Sequence, residues 1–283
     1  MRAVTIVLTF ALLSGAVAPS AWAQTVAPLA GPPPLSTEIP PLPPIDPALP
    51  TLFLVGDSTV KVGTAGQMGW GEVLPAHLDT SRINVVNFAR GGRSSRTFRT
   101  EGLWERVLAA LRPGDVVLIQ FGHNDGGELF DTTRPRASLP GTGDETRQGT
   151  VVLTRTFEVV RTFGWYLREY VADVRSRGAQ PILCSLVPRG RWADGRIVRE
   201  DYARWTREIA TVTSTPLLDL NEIIAKHYEA MGVERVAALF ADQGTHTTPD
   251  GAALSASLVA GGLRALGGPL TNYLTGRFSF LLR

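Results

Sequence analysis

The sequence is poor in the features that mark several common protein classes. Cysteine occurs once in 283 residues, as Cys184, so no internal disulfide can form. Its apolar surroundings (181–186) favour a buried small side chain over a reactive thiol. Lysine and arginine (28) nearly balance aspartate and glutamate (26), and no stretch collects charge of one sign. A polyanion-binding tail or patch is not indicated, so we expect no nucleic-acid partner.

Long apolar runs are also missing beyond the amino terminus, so we expect no membrane-spanning segment. The amino terminus has the pattern of a secretory signal peptide, with Arg2, an apolar run over 4–16 and a small-residue site at 21–23 (Ala-Trp-Ala). We therefore expect residues 1–23 to be cleaved and the protein to be exported, to the periplasm or outside the cell. The alternative is an uncleaved amino-terminal anchor.

Proline is dense between residues 24 and 50, with a run of three at 32–34 and pairs at 40–41 and 43–44. Proline fixes φ and has no amide proton, which excludes both a helix and an interior strand here. We interpret 24–50 as a stiff, extended linker. It is either a spacer or partner ligand, or a disordered leader, and it precedes a single domain at 51–283.

Strand and helix patterns alternate through that domain. Short apolar runs predict buried strands at 52–55, 83–88, 115–121, 181–186 and 216–219. Helical spacing predicts helices at 67–78, 101–111, 157–177, 201–213, 220–231 and 249–266. Residues 126–149 lack any period and are predicted to form a long surface loop. The alternation predicts an α/β fold with a five-stranded parallel sheet covered on both faces.

A small polar cluster follows each of the first three predicted strands, at 56–58, 87–94 and 122–125, and a fourth at 242–252 precedes the last helix. The carboxyl ends of parallel strands share one edge of the sheet, where ligands bind in open α/β folds. We therefore expect the four clusters to converge. A serine at this edge, Ser58, is a candidate nucleophile. The alternative is a helix cap, a position that aspartate and serine favour.

The requirements of acyl transfer give each cluster a role. Ser58 needs a base to accept its proton, and His246 can supply an imidazole nitrogen. Negative charge on the carbonyl oxygen needs donors, which the backbone N–H groups of Ser58 and Gly92 and the side-chain amide of Asn124 can provide. Asp242 is the nearest carboxylate that could orient the imidazole.

Four sequence blocks resemble, in order and spacing, those of the SGNH (GDSL-like) hydrolases. They are Gly-Asp-Ser-Thr-Val (56–60), Asn-x-Ala-x-Gly-Gly-Arg-Ser (87–94), Phe-Gly-His-Asn-Asp (121–125) and Thr-His-Thr (245–247). The chain is most similar to the rhamnogalacturonan acetylesterase group. The further shared blocks are Gly-Trp-Gly (69–71), Ala-Ser-Leu-Pro-Gly-Thr-Gly (137–143), Thr-Phe-Gly-Trp-Tyr-Leu-Arg (162–168) and Val-Pro-Arg (187–189) with Arg-Trp (191–192). The similarity covers roughly residues 52–266.

This resemblance implies a flavodoxin-like, three-layer α/β/α esterase that removes acetyl groups from pectic polysaccharide and uses no cofactor. Carried over by motif position, it makes Ser58 the nucleophile, His246 the base, and Gly92 and Asn124 the partners of Ser58 in the oxyanion hole. Asp57, beside the nucleophile, is implied to position it rather than to transfer protons. We expect the protein to be a monomer.

The sequence departs from the family pattern at the third triad position. The family usually places its acid three residues before the histidine, where this chain has Gln243. Asp242 stands four residues before His246, an offset that a loop can absorb. We therefore expect Asp242 to complete the triad.

Several residues admit two interpretations. His123 is either a metal ligand or second base, or a hydrogen-bonded structural residue; it lacks zinc-site spacing, so we favour the latter and expect no metal. Trp192, in a polar loop, is a candidate for stacking on a sugar ring. Four arginines either bind galacturonate carboxylates or are solvated charges: Arg93, Arg96, Arg189 and Arg191.

Three functions remain open from the sequence. The favoured one is a secreted serine esterase for acetylated, uronate-containing polysaccharide. A second is an acetylesterase for xylan or small acetyl esters. The third is a carbohydrate-binding protein that kept the fold without catalysis, although a binding module has no need of a nucleophile–base pair.

Overall fold

The computed structural model describes residues 39–130 and 133–276. The predicted signal peptide (1–23) and most of the predicted linker (24–38) lie outside the described residues. Within the described ranges the strands are β1 (Thr51–Gly56), β2 (Asn84–Asn87), β3 (Val116–Gln120), β4 (Thr146–Val151), β5 (Thr156–Arg161), β6 (Gln180–Cys184), β7 (Trp192–Ala193), β8 (Arg196–Ile197) and β9 (Leu217–Leu218).

The helices follow the strands in alternation. They are α1 (Trp70–Val73), α2 (Thr97–Thr100), α3 (Leu103–Ala110), α4 (Phe163–Ser176), α5 (Asp201–Val212), α6 (Leu220–Met231), α7 (Val233–Ala237) and α8 (Pro249–Leu266), with 3₁₀ turns at Leu74–His77 and Pro269–Tyr273. None of the helices in the described ranges combines the length and the apolar character needed to cross a bilayer.

Five strands form one parallel sheet in the order β2-β1-β3-β6-β9. Successive side chains of a strand point to opposite faces, and both faces of β1 are covered. Leu52 and Leu54 pack in a cluster with residues of α6 and α8, whereas Phe53 and Val55 pack with residues of α3 and α4. All four are at most 1% exposed. The predicted three-layer α/β/α fold and its five-stranded parallel sheet are therefore confirmed.

One predicted helix boundary was wrong. Helix α4 begins at Phe163, not at residue 157, because the Thr162 side chain caps it by accepting a hydrogen bond from the Trp165 backbone N–H at 3.0 Å. Residues 156–161 form β5, which pairs antiparallel with β4. β4 in turn takes up the end of the predicted loop 126–149, and the β-branched residues of β5 suit this hairpin.

A second boundary also differed. Of the predicted helix 67–78, only α1 is α-helical, and a 3₁₀ turn follows it over Leu74–His77. Pro75 lies at the start of that turn, a position where its missing N–H leaves no bond unmade.

The end of the predicted linker packs on the domain instead of standing free. Asp46 donates its backbone N–H to Asn84 Oδ1 (3.0 Å) and accepts from Asn84 Nδ2 (2.9 Å). Three apolar side chains of this segment pack against the same cluster as α3 and α4: Ile39, Leu42 and Ile45. From residue 39 on, the predicted linker therefore contributes buried apolar side chains to the domain predicted at 51–283.

Candidate active site

Three side chains from two loops stand in hydrogen-bonded series at the carboxyl edge of the sheet. Ser58 follows β1, and its Oγ lies 2.9 Å from Nε2 of His246. The other ring nitrogen of His246, Nδ1, lies 2.5 Å from Oδ2 of Asp242. The structure thus brings together the serine, the imidazole and the carboxylate singled out from the sequence.

The turn that presents Ser58 is held by the residue before it. Asp57 Oδ1 accepts hydrogen bonds from the Thr59 backbone N–H (2.9 Å) and Oγ1 (2.8 Å). Its carbonyl oxygen accepts from the N–H groups of Val60 and Lys61. The turn leads into no helix, since the next helix in the chain is α1. Asp57 therefore closes a turn and does not cap a helix, and the Ser58 hydroxyl contacts the imidazole.

A hydrogen-bonded chain supports the same turn from β3. Gln120 donates from Nε2 to Thr59 Oγ1 at 2.7 Å and accepts from Trp70 Nε1 at 2.8 Å. Gln120 and Trp70 are at most 1% exposed. Buried polar groups whose hydrogen bonds are all made favour a single geometry. This series of hydrogen bonds therefore holds the turn against β3.

His123 lies behind Asp57 with both ring nitrogens engaged. Nδ1 lies 3.1 Å from Asp57 Oδ2, and Nε2 lies 3.0 Å from the Val187 carbonyl oxygen. Burial raises the pKa of Asp57. The charge of His123 and the hydrogen bonds from His123 and Thr59 outweigh burial and leave that pKa below its ordinary value. The environment of His123 is that of the hydrogen-bonded structural residue favoured from the sequence.

The loop carrying His246 accommodates the one-residue offset of Asp242. Asp242 Oδ1 accepts from the backbone N–H groups of Thr245 (2.7 Å) and His246 (3.0 Å), which folds the loop back on itself. Gly244 supplies the left-handed φ of +94° that this turn requires. Burial raises the pKa of Asp242, but the two backbone N–H groups and the His246 side chain outweigh it and lower that pKa.

Donors for an oxyanion lie beside the serine. Neither Ser58 nor Gly92 donates its backbone N–H to another of the described residues. Gly92 has φ +80°, a conformation that a residue with a Cβ rarely adopts. Asn124 donates one Nδ2 proton to the Arg93 carbonyl oxygen at 2.9 Å, and its amide keeps a second N–H. This geometry is consistent with the predicted set of three donors.

A buried carboxylate, Asp125, joins the loops that carry those donors. Its Oδ1 accepts from Ser95 Oγ at 2.5 Å, from the Ser95 backbone N–H at 3.1 Å and from Ser138 Oγ at 3.1 Å. Burial raises the pKa of Asp125 from 3.8 to about 6, against the opposing effect of these hydrogen bonds. The sequence identified Asp125 only as the last residue of the block 121–125. Its burial was not predicted, because burial of a single carboxylate leaves no sequence pattern.

Replacement of Asp125 by asparagine should change how stability depends on pH. The raised pKa means that folded protein binds more protons than unfolded protein between pH 3.8 and about 6. The wild type is therefore expected to lose stability as pH rises through that window, by up to about 3 kcal/mol. Because asparagine does not ionise, the Tm of Asp125→Asn relative to wild type should rise from pH 4 to pH 7 in calorimetry. A Tm difference that stays constant over this range would contradict the assignment.

The arginines after β2 are not free for a substrate. Arg93 is 4% exposed, with Nε 2.8 Å from Glu101. Arg96 is fully buried and pairs with Glu158 at 2.9 Å. It also donates to the carbonyl oxygens of Leu129, Pro135 and Ala137. The prediction that Arg93 binds substrate is therefore not retained, and neither arginine is the solvated charge of the alternative.

The candidate substrate-binding residues at 189–192 differ in whether they are available to a substrate. Arg189 pairs with Glu200 at 2.8 Å and donates to the His123 carbonyl oxygen at 3.1 Å, so its charge is also committed within the protein. Trp192 lies in the short hairpin β7–β8, partly exposed, with one side on the apolar core. Arg191 beside it is exposed. Of these residues, Trp192 keeps a face that a sugar ring could contact.

Arg136 is a site residue that was not identified from the sequence. Its Nη1 donates to the Gly92 carbonyl oxygen at 3.3 Å, which places a guanidinium at the proposed oxyanion hole. The one available signal was its position directly before the shared block 137–143.

The fold and the site together define a class. A doubly covered parallel sheet with a serine, histidine and aspartate in series at its carboxyl edge is the arrangement of a serine hydrolase. The model of the GDSL-like Lipase/Acylhydrolase family matches residues 54–254, and the chain belongs to this family. It is therefore a carboxylic ester hydrolase, and the family resemblance drawn from the motifs is confirmed.

Named relatives share most of their length with this chain. "Probable rhamnogalacturonan acetylesterase YesY" of Bacillus subtilis (strain 168) is 33% identical over 229 residues, which cover 78% of this chain and 95% of the relative. "Rhamnogalacturonan acetylesterase" of Emericella nidulans is 30% identical over 227 residues, covering 80% of this chain and 89% of the relative.

Solved structures repeat the fold. The YXIM protein of Bacillus subtilis superposes with a TM-score of 0.61 at 26% identity; the match covers 77% of this chain and 56% of that one, so this chain spans little more than half of its length. An acetylxylan esterase of Geobacillus stearothermophilus, in a catalytic mutant form, gives a TM-score of 0.51 at 21% identity, covering 81% of this chain and 97% of that one. At this identity the second likeness concerns the fold alone.

Proposed function

We propose that this protein is an exported serine esterase that removes O-acetyl groups from pectic polysaccharide of the rhamnogalacturonan type through a covalent acetyl-enzyme. The observation that carries the proposal is the series Ser58–His246–Asp242, with the serine hydroxyl 2.9 Å from the imidazole. The names of the two relatives above support the substrate, and the amino-terminal pattern supports export.

In the first half of the reaction, His246 Nε2 accepts the Ser58 proton as Oγ attacks the acetyl carbonyl carbon. Asp242 accepts from Nδ1, which holds the ring in position and stabilises its charged form. The carbonyl oxygen becomes an oxyanion that accepts from the N–H groups of Ser58, Gly92 and Asn124. When the intermediate collapses, the sugar oxygen leaves with the proton held by His246.

In the second half, water replaces the sugar. His246 Nε2 takes a proton from water, whose oxygen attacks the acetyl carbon on Ser58. The same donors stabilise the second oxyanion, and its collapse returns the proton to Ser58 Oγ and releases acetate. Apart from the substrate and water, the two halves of the proposed reaction use side chains and backbone groups of the chain.

Acetate release from a panel of polysaccharides tests the proposed substrate. We expect faster release from acetylated rhamnogalacturonan than from acetylated xylan, since the relatives that support the proposal are named for the former. Ser58→Ala, assayed beside the wild type, measures the background. Preference for xylan would overturn the substrate, and equal release by both proteins would overturn the role of Ser58.

A further inference from the structure

Arg136 is placed next to the loop that contacts the nucleophile. A methyl group added at Gly91 would lie 3.4 Å from Ser58 Cβ, so this loop passes directly against the serine. One residue further on, a methyl group added at Gly92 would lie 3.7 Å from Arg136 Nη1. Arg136 is partly exposed, and its Nη1 donates to the Gly92 carbonyl oxygen, so the side chain extends between the proposed oxyanion loop and solvent.

Arg136 differs from its neighbours in having no ion-pair partner among the described residues. The other site arginines are neutralised at short range, Arg93 by Glu101 and Arg189 by Glu200. Within the described residues, the Arg136 side chain makes one hydrogen bond, to the Gly92 carbonyl oxygen, which uses one of five guanidinium N–H donors.

The surroundings of Arg136 are electrostatically mixed. Burial and the charges of Arg134 and Arg189 lower its pKa, whereas Asp57 and Asp125 oppose that change. Both carboxylates are fully buried and hold hydrogen-bond partners of their own, Asp57 with His123 and Asp125 with Ser95. The solvent-facing side of the guanidinium therefore remains available for an anion that arrives with the substrate.

We propose that Arg136 binds the carboxylate of an acidic sugar residue beside the ester that is cleaved, and so selects uronate-containing substrates. This rests on the proposed function, because it assumes that an acetylated polysaccharide occupies the site. A planar guanidinium can form two parallel hydrogen bonds to a carboxylate, which gives both affinity and orientation. The position next to Gly92 couples that contact to the placement of the acetyl group.

A purely structural role makes a different prediction. If Arg136 only balanced the charges of Asp57 and Asp125, its loss would change the hydrolysis of every acetyl ester in the same proportion. If it binds a substrate carboxylate, its loss changes the discrimination between acidic and neutral ligands. The decisive quantity is therefore the ratio of affinities for two ligands, one with free carboxylates and one with those carboxylates methyl-esterified.

The test measures inhibition of 4-nitrophenyl acetate hydrolysis by digalacturonate and by its methyl ester. For the wild type we expect the free acid to bind at least about tenfold more tightly, as expected for charge-assisted hydrogen bonds. Arg136→Gln should bring this ratio close to one, and Arg136→Lys should retain part of it. Arg177→Gln removes an exposed arginine at the opposite edge of the sheet and should keep the wild-type ratio.

Two results would overturn the inference: equal inhibition of the wild type by the acid and its methyl ester, or a preference that survives in Arg136→Gln. A proportional fall of kcat with an unchanged ratio would assign Arg136 to structure alone. These readings use a small neutral ester, so they are independent of polysaccharide deacetylation. If the wild type released no acetate from acetylated rhamnogalacturonan, the proposed function would fail separately.

Discussion

Replacement of Ser58 by alanine should lower kcat for acetyl-ester hydrolysis by at least about 10³-fold, the scale seen when the nucleophile of a triad is removed. The reason is geometric: Ser58 Oγ is the oxygen held 2.9 Å from His246 Nε2. Alanine keeps the Cβ and removes only that oxygen. Hydrolysis of 4-nitrophenyl acetate, followed by release of the nitrophenolate, measures the change.

The matched control is Ser176→Ala. That serine is the last residue of α4, and its hydroxyl donates to the Asp173 carbonyl oxygen. Helix α4 leads into the amino end of β6, so Ser176 lies at the edge of the sheet opposite to the candidate site. Its replacement should leave kcat within about twofold, because exposed substitutions of this kind have small effects. A folded Ser58→Ala protein with more than a tenth of the wild-type kcat would exclude Ser58 as the nucleophile.

Replacement of Asp242 by asparagine should lower kcat by about 10²- to 10⁴-fold. Asparagine keeps an oxygen that can accept from the N–H groups of Thr245 and His246, so the loop should remain folded. Its NH₂ group would face His246 Nδ1 where a carboxylate now lies at 2.5 Å. The ring would then favour the tautomer that protonates Nε2, which cannot accept the proton of Ser58.

Circular dichroism and Tm would show whether Asp242→Asn is folded, and the kinetics would be read on folded protein. Asp250→Asn is the matched control, since Asp250 is an exposed carboxylate in the first turn of α8, four residues after His246. It should retain wild-type kcat. Near wild-type kcat in Asp242→Asn itself would remove Asp242 from the triad.

The sequence predicted the features of the fold that depend on chemical pattern. Predominantly apolar runs located all five strands of the parallel sheet, because strands covered on both faces consist mainly of apolar residues. Helix α8 was predicted with its observed bounds, since proline is tolerated at the first position of a helix, where Pro249 stands. The polar clusters at the strand ends indicated one edge of the sheet, and the structure brings Ser58 and His246 into contact there.

Features that depend on tertiary contacts were not predictable in the same way. Residues 157–161 have apolar spacing compatible with a helix, but pairing with β4 makes them a strand. Arg93 and Arg96 look like surface charges in the sequence, yet Glu101 and Glu158 allow both to be buried. Glu158 is 62 residues from Arg96, so no local pattern relates them.

The offset of Asp242 is a case in which residue spacing and the observed loop geometry lead to different expectations for the triad. Counting residues from His246 leaves the acid one position too far away. In the structure, the left-handed Gly244 and the two backbone hydrogen bonds to Asp242 Oδ1 bring the carboxylate to the ring. Loop conformation, rather than spacing alone, decides whether a carboxylate reaches its histidine.

If different acetyl esters pass through one acetyl-enzyme on Ser58, as proposed, methanol and water should divide that intermediate in the same proportion whichever ester formed it. Hydrolysis of several acetyl esters, among them 4-nitrophenyl acetate and an acetylated oligosaccharide, is run over a range of methanol concentrations, and methyl acetate and acetate are measured. A shared intermediate predicts the same ratio of methyl acetate to acetate at each methanol concentration for every ester, with both products absent in Ser58→Ala. A ratio that changes with the leaving group would contradict the covalent mechanism.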